Sequence, residues 1–434
     1  MKAFRGEILS VPEDPALAGA EAVRHFADGL LVVEDGLVLA CGAYAELADR
    51  FAGVPAERLK GLIVPGFVDA HVHYPQIERI ASHGEQLMQW LERHIFPAEK
   101  AFADRDHADS IAAFFLDELL RHGTTSALVF ATVHPVSVDA LFEAALARDM
   151  RIVSGKVLMD LGPEGLSDTV ESGRAGTEAL IARWRGRGRL GYAVTPRFVP
   201  TSSEEQLADA GALVAAHPNV LMHTHLSENA GEIEFVASRF PDAADYLDVY
   251  DRFGLVGPRS VFAHCVHMSD RALARMAQAG AGIAFCPTSN MFLGSGLFDL
   301  AQADRHGVGL GIGTDIGAGT SPSVLKTLGA AYMTCQLRGA SLDPFRALHL
   351  ATAGGARVIG IADRVGALLP GQEADFVLLD ESATPLLARR CAGASLHDRL
   401  FALQVLGDDR AVAATYLRGH PAGPRRTAAA GTNG

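Results

Sequence analysis

His71 and His73 close the apolar run Leu62-Ile63-Val64-Pro65-Gly66-Phe67-Val68-Asp69-Ala70-His71-Val72-His73 and stand two residues apart. Alternate side chains of a strand share a face, so the two imidazoles project the same way, about 6.7 Å apart along the chain. That spacing lets both converge on one metal ion. By itself the pair is explained as well by two surface or core histidines. More residues of the same kind follow other apolar runs: His225, then Glu228 three positions on, then His264 and Asp315. Three imidazoles plus a carboxylate, with one position open for water, describe a catalytic zinc site or a non-haem Fe(II) site. Metal-type residues at the ends of separate apolar strands are hard to explain as packing. Glu228 has a simpler alternative, since Ser227-Glu228-Asn229 could open the next helix, where an acidic side chain is favoured.

The elements that must position these groups follow a rhythm. After residue 60 short apolar runs alternate with amphipathic segments, the pattern of βα units. The expected strands are Leu62 to His73, Thr125 to Val133, Arg151 to Asp160, Leu190 to Thr195, Val220 to His225, Ser260 to His264, Gly282 to Cys286 and Val308 to Asp315. Helices are expected at Ser110 to His122, Ser203 to Ala216 and Ser269 to Gln278. The fold class is therefore α/β, a (β/α)8 barrel over residues 66–365 with its catalytic groups at the C-terminal ends of the strands. The chain ends break the rhythm. A hairpin signal at Asp35-Gly36 and apolar runs at Phe376 to Leu379 and Val412 to Leu417 suggest that residues 1–65 and 366–420 form one small composite β-sandwich. Residues 421–434, rich in Ala, Gly, Pro and Thr, read as a disordered tail.

Composition narrows the partners. A formal net charge of −13 and the lack of a long basic stretch argue against nucleic acid. No apolar run is long enough to span a membrane, and no apolar segment follows the basic residues near the start as a secretory signal would require. The five cysteines are scattered and form no C-x-x-C, which suits reduced thiols in the cytoplasm.

The residues already named also carry a resemblance. Pro65 to His73, His225-Leu226-Ser227-Glu228, Ala263-His264 and Gly313-Thr314-Asp315 resemble the amidohydrolase superfamily. His73-Tyr74-Pro75-Gln76, Trp90 through Phe96-Pro97-Ala98-Glu99, Lys156 to Asp160, Val194 to Phe198 and Phe285 to Asn290 resemble its guanine deaminases, the bacterial ones closely. The likeness runs from about residue 60 to 380. It implies zinc held by His71, His73, His225 and Asp315, with Fe2+ an alternative that suits the same donors. It also implies that His264 contacts the attacking water or developing alkoxide, that Glu228 shuttles protons, and that Asp315 takes the proton of the water. Gln76 and Arg197 would hold the purine edge, Phe198 would lie against the ring, and the substrate would be guanine, turned over by a homodimer.

The chemistry of the residues agrees with these expectations. Zinc brings the pKa of water to about 7, and hydrolysis at C2 of guanine needs protons for both a ring nitrogen and the departing amino group. A guanidinium has donors only, so Arg197 suits a 6-keto acceptor and opposes a 6-amino group, although an arginine can also be satisfied by carbonyls at a barrel rim. His223 reads as an interior histidine, His267 as a weak metal candidate, and His134 as a residue at the pocket edge or outside it. Lys156 falls inside a strand and none ends strand four, so a lysine bridge between two metals is not expected. The rival readings are a cyclic amidase or another aminohydrolase of the superfamily, and a scaffold barrel without activity. The zinc deaminases built on H-x-E together with P-C-x-x-C are excluded, because no P-C-x-x-C occurs.

Overall fold

The computed structural model describes residues 1–83 and 86–423. The apolar run 62–73 turns out to serve two sheets. Its first part ends a strand of the terminal sheet, Ala56–Pro65, and its second is the first barrel strand, β1, Phe67–His73. The two part at Gly66, where a Cβ would lie 2.2 Å from Thr125 Oγ1, so only glycine lets the chain pass.

Seven more strands complete the barrel: β2 (Thr124–Phe130), β3 (Arg151–Gly155), β4 (Gly191–Pro196), β5 (Leu221–Leu226), β6 (Ser260–His264), β7 (Gly282–Phe285) and β8 (Gly309–Ile312). Each pairs with the next in parallel. The ring closes just beyond β8, where Asp315 N donates to His71 O (2.9 Å) and His73 N to Ile316 O (3.0 Å). All eight expected strands are present, but several are shorter than their apolar runs, the second stopping at Phe130. The third stops at Gly155, with Val157–Leu158 pairing separately to β4, and the eighth stops at Ile312, leaving Asp315 in the following loop.

Helices cover the outside, including Arg105–Arg121, Glu204–Ala216 and Asp270–Ala279. The last two start where the sequence signals them. Ser203 Oγ accepts from Gln206 N (3.0 Å) and Ser269 Oγ from Ala272 N (3.1 Å), each satisfying an otherwise orphaned donor. Inside the barrel, Val68, Ala70, Leu128, Val153, Val261 and Ala284 pack with Ile359 as an apolar floor beneath the histidines.

The terminal sheet is a single seven-stranded path. Its order is His420–Ala422, Val412–Leu417, Phe376–Leu379, Ala56–Pro65, Lys2–Ser10, Arg24–Glu34 and Leu37–Ala43. N- and C-terminal segments meet where Ala56–Pro65 runs antiparallel to Phe376–Leu379. Alternation explains how so small a unit buries both faces. Phe4, Leu31, Ile63, Phe376 and Tyr416 make one core, with Phe376 stacked on Tyr416 at 4.2 Å, while Leu62, Val64, Val377 and Leu379 join the core of the barrel's helical layer. The tail expected to be disordered from 421 instead begins ordered. Pro421 and Ala422 pair with Tyr416 and Thr415, at a sheet edge where proline's missing N–H is tolerated. The remainder of that expectation, residues 424–434, lies outside the described residues. Among the described residues, no helix is long and apolar enough to cross a membrane.

Candidate active site

The C-terminal mouth of the barrel gathers the residues that the sequence scatters. His71 and His73 leave β1, His225 leaves β5, His264 ends β6, and Asp315 follows β8. The pairing of β1 with β2 slips between Asp69 and Val72. Ala70 packs into the interior floor, and its neighbour His71 also reaches the interior site. A bulge of this kind re-aims a side chain that strict alternation would send outward.

The donor atoms are close. His73 Nε2 lies 3.2 Å from both His71 Nε2 and His225 Nε2, and Asp315 Oδ1 lies 3.2 Å from His71 Nε2 and 3.3 Å from His73 Nε2. Four donors at about 2.0–2.1 Å from one tetrahedral ion stand about 3.3 Å from each other. The separations among His71, His73 and Asp315, and between His73 and His225, therefore fit a divalent metal. Tautomers agree with this. The Arg197 carbonyl can only accept, so His225 Nδ1, 2.8 Å away, carries the proton and leaves the Nε2 lone pair free. His71 Nδ1 is similarly engaged by His223 Nε2 at 2.7 Å. Burial favours neutral imidazoles, pushing His73 down to about 3 and His225 well below its ordinary value. Burial pushes the Asp315 carboxyl up, but the hydrogen bonds to His71 and His73 outweigh it and hold it well below the usual range.

Two of these groups stand on unusual backbone. His264 has φ 71° and Asp315 φ 50°, left-handed conformations that cost a non-glycine residue about 1–3 kcal/mol and persist only where the surroundings impose them. Asp69 supplies that constraint beside Asp315. Its carboxylate accepts from Thr314 N (3.0 Å), Thr314 Oγ1 (2.5 Å) and His71 N (3.3 Å), tying β1 to the loop after β8. Asp69→Ala should orphan the two Thr314 donors, at about 1–3 kcal/mol each. Thermal unfolding should show the loss, together with weaker metal retention; an unchanged melting temperature and metal content would contradict the role.

The pocket above the donors is lined by His73, Gln76, Arg197, Phe198, His225, Glu228, His264 and Asp315, and walled by Leu87, Trp90, Leu91, Leu293 and Ala318. Glu228 is not on a helix. Asn229 caps the helix Ala230–Arg239, and Glu228 precedes it with its carboxylate in the pocket, 3.5 Å from His264 Nε2 and 3.4 Å from Ser295 Oγ. Burial and the nearby Asp315 charge push it up to about 8, so its acid form persists at neutral pH. His264 is oriented by Asn290 Oδ1, which accepts from Nδ1 at 2.9 Å, and its Nε2 lies 3.8 Å from Asp315 Oδ2. The Phe198 ring stands edge-on to His225, with centroids 6.3 Å apart.

Comparison with known proteins fits this geometry. Residues 62–422 match the amidohydrolase family. Guanine deaminase of Escherichia coli (strain K12) is 48% identical over 96% of this chain and 97% of its own length. The chain belongs to the amidohydrolase family. The structure of E. coli guanine deaminase superposes with a TM-score of 0.95 at 47% identity, covering 98% of this chain and all of that one. A guanine deaminase from C. acetobutylicum, with guanine bound in its active site, gives 0.90 at 28% identity, over 97% and 99% of the two chains.

Several histidines and other reactive residues play no direct part in this amidohydrolase pocket. His267 Nε2 lies 2.7 Å from Ser295 O, and His134 is the residue before the helix Pro135–Arg148, outside the pocket lining. His223 is interior, as expected, but supports His71 directly. Lys156 sits between two short strand segments, buried against Asp168 and Val157 O, where it cannot bridge metals. Burial raises the thiols of Cys265 and Cys286 well above their ordinary value, which makes them poor nucleophiles. Sequence reasoning gave no role to Asn290, Ser295, Asp69 or Glu99. Each lies in or beside a motif that carries the resemblance except Ser295, for which the sequence holds no signal.

Proposed function

We propose that this amidohydrolase converts guanine and water to xanthine and ammonia, using one metal held by His71, His73, His225 and Asp315. The observation that carries the reading is the joining of His73, His225 and Asp315, with His71 against them, to the acid Glu228 and the donor-only Arg197 at one pocket. A zinc ion there would supply Lewis-acid activation of water at neutral pH; Fe2+ suits the same donors. The remaining work falls to side chains. Arg197 donates to O6 of the purine, Gln76 holds the adjoining edge, and Phe198 packs on the ring. Asp315 takes the proton that the attacking water gives up, while His264 Nε2, 3.8 Å from Asp315 Oδ2, contacts the water oxygen. N3 is the unprotonated ring nitrogen beside C2, so it must gain a proton as C2 becomes tetrahedral. Glu228 delivers that proton, takes another from the hydroxyl now on C2, and passes it to the amino nitrogen, which leaves as ammonia as the C2 carbonyl forms; the proton held by Asp315 then restores the Glu228 acid. Leu87, Trp90 and Leu91 give the pocket an apolar wall.

The same reading takes residues 66–365 as the catalytic unit and residues 1–65 with 366–420 as the composite terminal unit. It places the enzyme in the cytoplasm, in keeping with five free cysteines, and in a homodimer, in keeping with the exposed Met333, Leu337 and Val405 on adjacent helices. The reaction is tested by incubating guanine with the protein in 18O-enriched water. Xanthine carrying one heavy oxygen, with one equivalent of ammonia, is the expected product; unchanged guanine would contradict the proposal.

A further inference from the structure

Glu99 lies on the short helix Phe96–Lys100, is 1% exposed, and does not line the pocket. Its carboxylate nevertheless joins the two residues assigned to the purine edge. Oε1 accepts from Gln76 Nε2 (3.0 Å) and Arg197 Nη1 (3.0 Å), and Oε2 accepts from Arg197 Nη1 at 2.8 Å. Phe96, one turn earlier on the same helix, places its ring 5.4 Å from the Arg197 guanidinium carbon.

We infer that Glu99 is a positioning residue that sets the preference for a 6-keto purine by fixing both Arg197 and Gln76; this rests on the reading that those two hold the purine edge. A carboxylate can only accept, so it compels the NH2 end of Gln76 to face it. The other end of the amide is then committed, with Gln76 Oε1 accepting from Gly317 N at 3.2 Å. The amide cannot flip, and its polarity towards the substrate is set. Arg197 is constrained in two directions, by the carboxylate at Nη1 and by the Phe96 ring at its face, so its fork cannot rotate to suit a different purine edge. A buried pair serving only stability would not need to engage both pocket residues. Here one carboxylate fixes two donors that reach the substrate from the segments after β1 and β4.

The test reads the 6-oxygen contact by binding. Hypoxanthine and purine differ at that oxygen, with the N1 proton that accompanies it, and neither carries the 2-amino group, so the ratio of the purine to the hypoxanthine inhibition constant, measured against guanine turnover, reports the contact without chemistry. In the metal-loaded enzyme, Glu99→Gln, an isostere, should lower this ratio at least about tenfold, towards the value for Arg197→Ala. Glu99→Asp, which keeps the charge on a shorter arm, should give an intermediate ratio. Adding Glu99→Gln to Arg197→Ala should change the ratio no further, since the two act through one contact. If Arg197→Ala preserves the ratio, the edge reading fails and the inference falls with it. If Arg197→Ala lowers the ratio while Glu99→Gln keeps it, the edge reading survives and the positioning role is overturned. Should Glu99→Gln fail to fold, Glu99→Asp decides: a ratio equal to that of the unaltered enzyme overturns the role.

Discussion

Glu228→Gln should lower kcat on guanine by about 10²- to 10⁴-fold, equivalent to roughly 3 to 5 kcal/mol, while metal content stays unchanged. Glutamine has the same shape but no proton to pass. The backbone around it is held independently, because Glu232 Oε2 accepts from both Glu228 N (2.9 Å) and Asn229 N (3.2 Å). The pocket should therefore keep its form, and substrate binding should change far less than turnover. Steady-state kinetics alongside elemental analysis separate the two. Near-normal kcat with the metal in place would remove Glu228 from the proton path.

Arg197→Ala should reduce kcat/KM for guanine and collapse its preference over 6-aminopurines, by up to about 10⁴-fold. The guanidinium is 2% exposed and salt-bridged to the equally buried Glu99, so its donors are already desolvated and directed before substrate arrives. Removal also leaves Glu99 as an uncompensated buried charge, a penalty of about 3–5 kcal/mol for broken buried pairs. A fall in overall stability is thus expected. The selectivity ratio is the informative quantity, since a general loss of stability lowers activity on every purine alike. An unchanged ratio would mean that another group reads the 6-position.

Much of this site is legible because barrels place chemistry at strand ends. Reading only the ends of apolar runs finds His71, His73, His225 and His264, all of which the fold brings to one mouth. What periodicity misses is local irregularity. The register slip in β1 and the left-handed backbone at Asp315 both depend on hydrogen bonds between residues far apart in sequence, Asp69 with Thr314 and His71 with Asp315. Glu99 is similar: nothing near it in sequence says that its partner is Arg197, 98 positions later. The long apolar run 62–73 reads as one strand because hydrophobicity alone cannot show that Gly66 hands the chain from one sheet to another. In the terminal unit, the helices Pro385–Cys391 and Leu396–Leu406 escape a reading focused on strand-like runs, although Thr384 and Ser395 cap them in the ordinary way.

The central claim joins a metal-assisted aminohydrolase to a keto-reading arginine. The most direct test is ammonia release, with the accompanying ultraviolet change, on adding guanine, adenine or cytosine in parallel to zinc-loaded protein. Rapid conversion of guanine to xanthine, with adenine and cytosine left intact, is the predicted result. Equal turnover of adenine, or no turnover of guanine by protein carrying one metal per chain, would contradict it.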